Sequence, residues 1–481
     1  WKSVNFFVTE AQIVIDLGRY VRSGRRFDLA VEYVATPTKG IYFTGPDVGY
    51  PDKPVQIWTQ GQDTDNHHWF PCWDEPNERL TSEVIVTVPE GWTAISNGRL
   101  HSVLEGEDHN ERLSVGKGSN TDDVVAVGIT SSVVSAGRTF HWVQEAEHTV
   151  YLISLVAGEF ERVVQQASGP LIEYYVTPGR EGDGERAFGN TPAMIRYFEE
   201  ISGEPYPWAK YAQVAVQDFI FGGMENTSAT TQTDLTLHDV RAHIDFSSDF
   251  LVSHEAAHQW FGDLITCREW AHGWLNEGFA TYLEALWQEE YRGLDAHLWD
   301  VMSMAKIYVK ERYRRPIVHN QYRVPVDLFD RHMYEKGGVV LHMLRRELGD
   351  EAFFLMIRHY VQQCKGKSVL TIDLQRAIEE STGRNLDWFF DQWVYRPGHP
   401  SFKVNYKWDE DDKTATLNVV QNHGTSMPMG ETGPCPVEAF RCKVKVVFES
   451  SRRRHEFWTS IRDREHTFVY SLSERPDMVQ F

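Results

Sequence analysis

Asp249-Phe250-Leu251-Val252-Ser253-His254-Glu255-Ala256-Ala257-His258-Gln259-Trp260-Phe261-Gly262 is the stretch on which the reading of this chain turns. An acidic first residue and a glycine stop predict a helix from about Asp249 that ends by Gly262. Positions four apart share a helical face, so His254 and His258 present two imidazoles side by side, with Glu255 between them in sequence. Such a pair suits one Zn²⁺, with Glu255 able to point at a water. Taken alone, the pentapeptide also fits a helix whose histidines are ordinary satisfied polar groups.

A catalytic zinc takes three protein ligands and leaves a position for water, so a third donor is required. Glu277 supplies it, in Trp274-Leu275-Asn276-Glu277-Gly278-Phe279-Ala280, with eighteen residues between it and His258 for a turn and entry into a second helix. Glu284, two helical turns beyond Glu277 on the same face, is placed to hold a ligand imidazole in its correct tautomer. His272 is an alternative donor, but the spacing of Glu277 is better and His272 reads as supporting or structural.

Outward from this centre, helical periodicity runs from about Thr191 to Tyr395 and stops at Arg396-Pro397-Gly398-His399-Pro400. Before about residue 165 the chain alternates, as in Phe27-Asp28-Leu29-Ala30-Val31-Glu32-Tyr33-Val34 and Val84-Ile85-Val86-Thr87-Val88, which reads as antiparallel β. Alternation returns after Pro400 in Phe402–Tyr406, Ala415–Val419 and Cys442–Val447, a small β-sandwich. Asp409-Glu410-Asp411-Asp412 reads as a solvated hairpin tip and Arg452-Arg453-Arg454 as a wet turn or edge. His67 and His68 are adjacent; in an extended segment they face opposite ways and would not share an ion.

The 481 residues exceed one ordinary core and suggest several domains. No apolar run is long enough to span a bilayer, and a formal net charge of -21 disfavours nucleic-acid or anionic-membrane partners. Five scattered cysteines make no framework; Cys435 and Cys442 are close enough in sequence for a bridge, but the odd total favours thiols and a cytoplasmic setting.

The chain resembles the gluzincin aminopeptidases, the family of aminopeptidase N and leukotriene hydrolase. Three motifs in order carry the resemblance: Gly222-Gly223-Met224-Glu225-Asn226, the His254–His258 pentapeptide, and the segment around Glu277. The resemblance implies an α+β multidomain fold: an N-terminal β domain over 1–168 lacking its first strands, a thermolysin-like mainly helical zinc domain over 169–398, and a β-sandwich over 399–481. It assigns Glu225 to the substrate's ammonium group, Gly222, Gly223 and Met224 to the substrate backbone, and Tyr334, within Tyr334-Glu335-Lys336-Gly337, to the developing oxyanion. Gln62, in Thr59-Gln60-Gly61-Gln62, falls at the amine-binding position, where many relatives carry Glu and leukotriene hydrolase carries Gln.

The expected activity is that of an aminopeptidase holding one Zn²⁺, with a zinc-activated water and Glu255 as general base and then acid. Its partners would be peptides with a free N-terminus, together with a further helical domain or another chain. Rival readings are an endopeptidase, which Glu225 would obstruct, an epoxide hydrolase, which rests on Gln62 alone, and an inactive scaffold. The sequon at Asn226-Thr227-Ser228 reads as unmodified, because a glycan there would block the cleft.

Overall fold

In Arg79–Pro89, Val84, Val86 and Val88 are 2–3% exposed while Glu83, Ile85 and Thr87 between them are half-buried, the pattern of a strand with one face in a core. The structure, a computed structural model, describes residues 3–9, 12–25, 27–105, 124–129, 137–165, 169–423 and 437–481. By internal contacts the chain divides into two compact units, Trp1–Pro192 with Trp208–Asp249, and Ala193–Pro207 with Phe250–Phe481.

The first unit contains strands β1 (Asn5–Val8), β2 (Ile13–Asp16), β3 (Ile41–Thr44), β4 (Gln56–Thr59), β5 (Arg79–Pro89), β6 (Thr93–Ser96), β7 (Arg99–Glu105), β8 (Val124–Ile129), β9 (Gly137–Thr149) and β10 (Leu155–Gly158). After β1 and β2 pair as a hairpin, two four-stranded sheets form in the orders β3-β4-β10-β6 and β7-β9-β5-β8. Their apolar faces share a core that includes Trp69, Phe70, Val84, Phe140, Trp142 and Leu155. A third sheet, of β11 (Glu161–Gln165), β12 (Leu171–Val176), β13 (Lys210–Val216), β14 (Gly223–Met224) and β15 (Ala229–Thr233), has the order β11-β12-β13-β15-β14. Its three central strands run parallel, β14 returns antiparallel at the edge, and helix α1 (Glu181–Phe188) follows β12.

The second unit holds α2 (Thr191–Ser202), α3 (Asp249–His258), α4 (Glu277–Arg292), α5 (Leu294–Val309), α6 (Glu335–Leu348), α7 (Asp350–Cys364), α8 (Thr371–Thr382) and α9 (Asp387–Trp393), with the first residues of α2 and α3 assigned to the other unit. A short parallel pair joins β16 (Ile265–Cys267) to β17 (Lys367–Val369). Helix α4 is central: Phe279, Ala280, Tyr282, Leu283, Ala285, Leu286 and Trp287 are all 2% exposed or less, and α5 and α6 pack against it. Phe279 stacks on Phe261 just beyond α3, with ring centroids 4.6 Å apart. At the C-terminus, β18 (Phe402–Asp409), β19 (Thr414–Gln421), β20 (Cys442–Glu449), β21 (Arg454–Ile461), β22 (Glu465–Ser471) and β23 (Met478–Gln480) form two three-stranded sheets around Leu417, Val446, Phe448 and Tyr470.

Several sequence readings change at this level. Phe27–Val34 alternates like a strand yet joins no ladder with a described strand, and its residues are exposed; alternation specifies two faces but not a hydrogen-bonding partner. Asn66–His68 is a short 3₁₀ turn, not an extended segment. Lys210–Val216, inside the stretch whose periodicity reads as helical, is a strand; all seven of its residues are buried, so it shows no alternation. Asp409–Asp412 lies at the β18–β19 tip, where Asp409 Oδ1 accepts from the backbone amides of Asp411 and Asp412 at 3.0 Å. Cys435, and with it the Cys435–Cys442 bridge, lies outside the described residues; Cys72, Cys267, Cys364 and Cys442 are thiols.

Candidate metal centre and active site

Helix α3 sets His254 and His258 one turn apart, and α4 begins at Glu277, so the three side chains converge from two helix ends. His258 Nε2 lies 3.0 Å from His254 Nε2 and 3.1 Å from Glu277 Oε2, and His254 Nε2 is 3.3 Å from that same oxygen. Donors bound at zinc's usual 2.0–2.1 Å in a tetrahedron stand about 3.3 Å apart, so this triangle fits such an ion. Among the described residues it is the one group of three or more His, Cys, Asp or Glu side chains gathered closely enough to hold a metal.

The outer nitrogens decide the tautomers. His258 Nδ1 donates to the carbonyl of Phe261 at 2.8 Å, because a carbonyl can only accept. His254 Nδ1 meets Glu284 Oε1 at 2.6 Å. Both rings therefore turn their Nε2 atoms towards the shared point. Gly262 makes the first contact feasible: its φ is +142° and a Cβ there would lie 2.8 Å from His258 Nδ1.

Charge reinforces the arrangement. Burial disfavours the imidazolium of His254, but Glu277 and Glu284 outweigh it and raise its pKa well above the ordinary histidine value. Burial would likewise raise Glu277, yet His258 and His254 hold its carboxyl well below the usual carboxylate range. An anionic oxygen facing two ring nitrogens is a donor set for a divalent cation. Burial also raises the pKa of Glu284. Glu255 is 3% exposed in the same helix turn.

Tyr334 is the residue before α6, and its ring lies nearly parallel to that of His254, with centroids 6.2 Å apart. Gly278 and Gly337 allow this closeness: a Cβ on Gly278 would sit 3.1 Å from Gly337 Cα, so the two helix starts meet backbone to backbone. His272 is directed elsewhere; its Nδ1 accepts from the backbone N–H of Thr371 at 3.1 Å. His67 pairs with Asp74 at 2.9 Å, and neither it nor His68 belongs to a metal-sized cluster among the described residues.

In the first unit, Glu225 follows β14 and is 3% exposed. Gln62 donates Nε2–H to Glu225 Oε1 at 3.0 Å, an orientation fixed because a carboxylate only accepts. Gly222 has φ +85°, and β14 is the edge of its sheet, paired with β15 alone among the described strands. The turn after Glu225 is tied from behind: Asn97 Nδ2 donates to Thr227 O and the Gly98 amide to Ser228 Oγ, at 2.8 and 2.7 Å. Lys210 Nζ, 2.8 Å from Ser96 O, also reaches Ser228. Asn97 and Lys210 are residues the sequence reading missed; no spacing rule links them to a turn so distant in the chain. Asn226 is fully buried and its Nδ2 donates to Thr231 Oγ1, which leaves no room for a glycan.

A His-His-Glu donor set on two buried helix ends, with a glutamate beside the first histidine, defines the metallopeptidase class. The description "Peptidase family M1 domain" matches residues 186–393 and "Peptidase M1 N-terminal domain" matches residues 2–114. The chain belongs to this family, the gluzincin aminopeptidases. It is similar to rice Aminopeptidase M1-C, 27% identical over 361 residues, covering 73% of this chain and 38% of that protein. Against yeast "Aminopeptidase 2, mitochondrial" it is 28% identical, over 72% of this chain and 35% of the relative. Probable aminopeptidase 1 of Sulfurisphaera tokodaii is 26% identical over 77% of this chain and 44% of its own length. The chain thus spans less than half the length of these relatives. The solved structure of Legionella pneumophila aminopeptidase A in complex with aspartic acid shares the fold, with a TM-score of 0.70 at 18% identity, covering 92% of this chain and 47% of that one.

Proposed function

We propose that the chain is a zinc-dependent aminopeptidase that hydrolyses the N-terminal bond of peptides. The observation that carries this reading is the convergence of His254 Nε2, His258 Nε2 and Glu277 Oε2, with Glu255 in the same helix turn. The family match and the names of the relatives support it. Bound by those three residues, one Zn²⁺ would supply Lewis-acid chemistry, polarising a carbonyl and acidifying water.

Glu255 accepts the proton of the attacking water and returns it to the leaving amine. Tyr334 donates its hydroxyl hydrogen to the oxygen on which charge develops. Glu225 accepts from the substrate's ammonium group, with Gln62 contributing a neutral acceptor and steadying Glu225. Gly222, Gly223 and Met224 offer an edge-strand backbone to an extended peptide. Glu284 fixes the ring of His254.

The division into 1–168, 169–398 and 399–481 is also proposed, supported by separate cores around Trp142 and around Leu417. No described helix is long and apolar enough to cross a membrane. The four described thiols support a reducing compartment, the cytoplasm.

The test is a panel of single-residue anilides, each with a free and an N-acetylated amine, assayed before chelation, after it, and after zinc is restored. Cleavage of the free-amine series alone, lost with chelator and regained with zinc, is expected. Equal cleavage of the acetylated series would remove the role of Glu225, and cleavage indifferent to chelation would remove the metal.

A further inference from the structure

The loop that ends at Tyr334 is held by a buried charge cluster to which the reaction assigns no role. Arg315 is 3% exposed. All five donors of its guanidinium are placed: Nε on Asp330 Oδ2 at 3.0 Å, Nη1 on the carbonyls of Pro316 and Ile317 at 2.8 and 2.9 Å, and Nη2 on Leu328 O and Asp330 Oδ1 at 2.7 and 2.6 Å. Asp330 is equally engaged. Its carboxylate also accepts from the His332 amide at 2.8 Å, from His332 Nδ1 at 3.1 Å and from the hydroxyl of Tyr313.

A buried ion pair is weak evidence for stability, since well-packed apolar replacements often do as well; fixed geometry is what the planar, bidentate fork provides. Here that geometry leads straight to Tyr334. The carbonyl of Asp330 accepts from the amides of Met333 and Tyr334 at 3.0 and 3.2 Å, and Tyr334 O accepts the first helical bond of α6, from Gly338, at 2.8 Å. The backbone of Tyr334 is thus fixed on both sides, while its ring stands beside His254.

We propose that Asp330, gripped by Arg315, is a positioning residue that holds the Tyr334 hydroxyl at the reacting carbonyl. The proposal rests on the reading of Tyr334 given above. A donor misplaced by about 1 Å from the developing charge can cost about a hundredfold in rate, so the clamp acts on turnover and not on substrate affinity.

The experiment is a double-mutant cycle on the full zinc-loaded chain, with kcat and KM measured on a free-amine anilide and normalised to bound zinc. Asp330→Asn is expected to lower kcat by about ten- to a hundredfold, with KM and zinc content unchanged. In a Tyr334→Phe background the same substitution should cost less than about twofold, since the group it positions is already gone. Arg315→Lys, which keeps the charge and loses the fork, is the second variant if Asp330→Asn does not fold, and should show the same dependence on Tyr334. Equal losses in both backgrounds, or a loss accounted for by zinc content, would overturn the positioning role while leaving Tyr334 as the donor. A Tyr334→Phe chain with wild-type turnover would overturn the reading of Tyr334 and the clamp with it.

Discussion

His254 and Glu255 are neighbours with separable duties, and substitution should divide them. His254 supplies one corner of a three-donor triangle, so His254→Ala is expected to lose both metal and turnover. Glu255 is outside that triangle; Glu255→Gln should keep zinc and lower kcat by about 10²- to 10⁴-fold, the usual worth of a positioned proton acceptor. Zinc analysis beside initial rates checks both, and equal zinc loss in the two variants would refute the division. Asp330 makes a pH prediction. Burial would raise its pKa, but His332 and Arg315 hold it below the ordinary 3.8. The folded state therefore favours the carboxylate, and the resulting stability is fully present above about pH 4 and fades as the pH falls further. Denaturant titrations of wild type and Asp330→Asn should accordingly differ most near neutrality and converge below pH 4.

Elements, more than single residues, decide where these groups meet. The starts of α4 and α6 carry Glu277 and Tyr334, and their approach depends on Gly278 facing Gly337. A Cβ on Gly337 would fall 3.0 Å from Gly278 Cα, against backbone that cannot swing aside. Gly337→Ala is expected to cost about 1–3 kcal/mol, as overpacking of a tight contact does, and to lower kcat because the helix starts are pushed apart. Chemical denaturation and turnover measure the two effects; an unchanged midpoint would show that the helices adjust freely. The elements also show what periodicity conveys. The one-turn spacing of His254 and His258 follows from helix geometry, which a sequence displays directly. By contrast, Lys210–Val216 is buried throughout and shows no period, and Phe27–Val34 shows the period of a strand without a described partner.

Taken as a whole molecule, the chain places all three candidate metal donors in its second compact unit. An ion held by this triangle would favour the folded arrangement over the unfolded chain, so zinc loading is expected to raise the unfolding temperature of that unit. Free zinc at about a thousand times its dissociation constant contributes about 4 kcal/mol. Calorimetry of chelated and reloaded protein checks this, and a transition indifferent to zinc would count against a metal centre built from α3 and α4. Glu225 and Gln62 belong to the first unit, where their hydrogen bond joins residues 163 positions apart.

By itself the sequence singled out His254, His258 and Glu277 as candidate metal donors, the neighbouring glutamate and the succession of β, mainly helical and β regions, because helical spacing, motif order and strand alternation are local properties of a chain. It carried Glu284 as well, since the heptad distance from Glu277 fixes a shared face. Only the tertiary structure decided that Phe261 O orients His258, that Asn97 and Lys210 brace the turn after Glu225, and that Arg315 grips Asp330 behind Tyr334. Each of these contacts depends on which segments pack together, and no periodicity along the chain records which remote donor will find a given carbonyl or carboxylate.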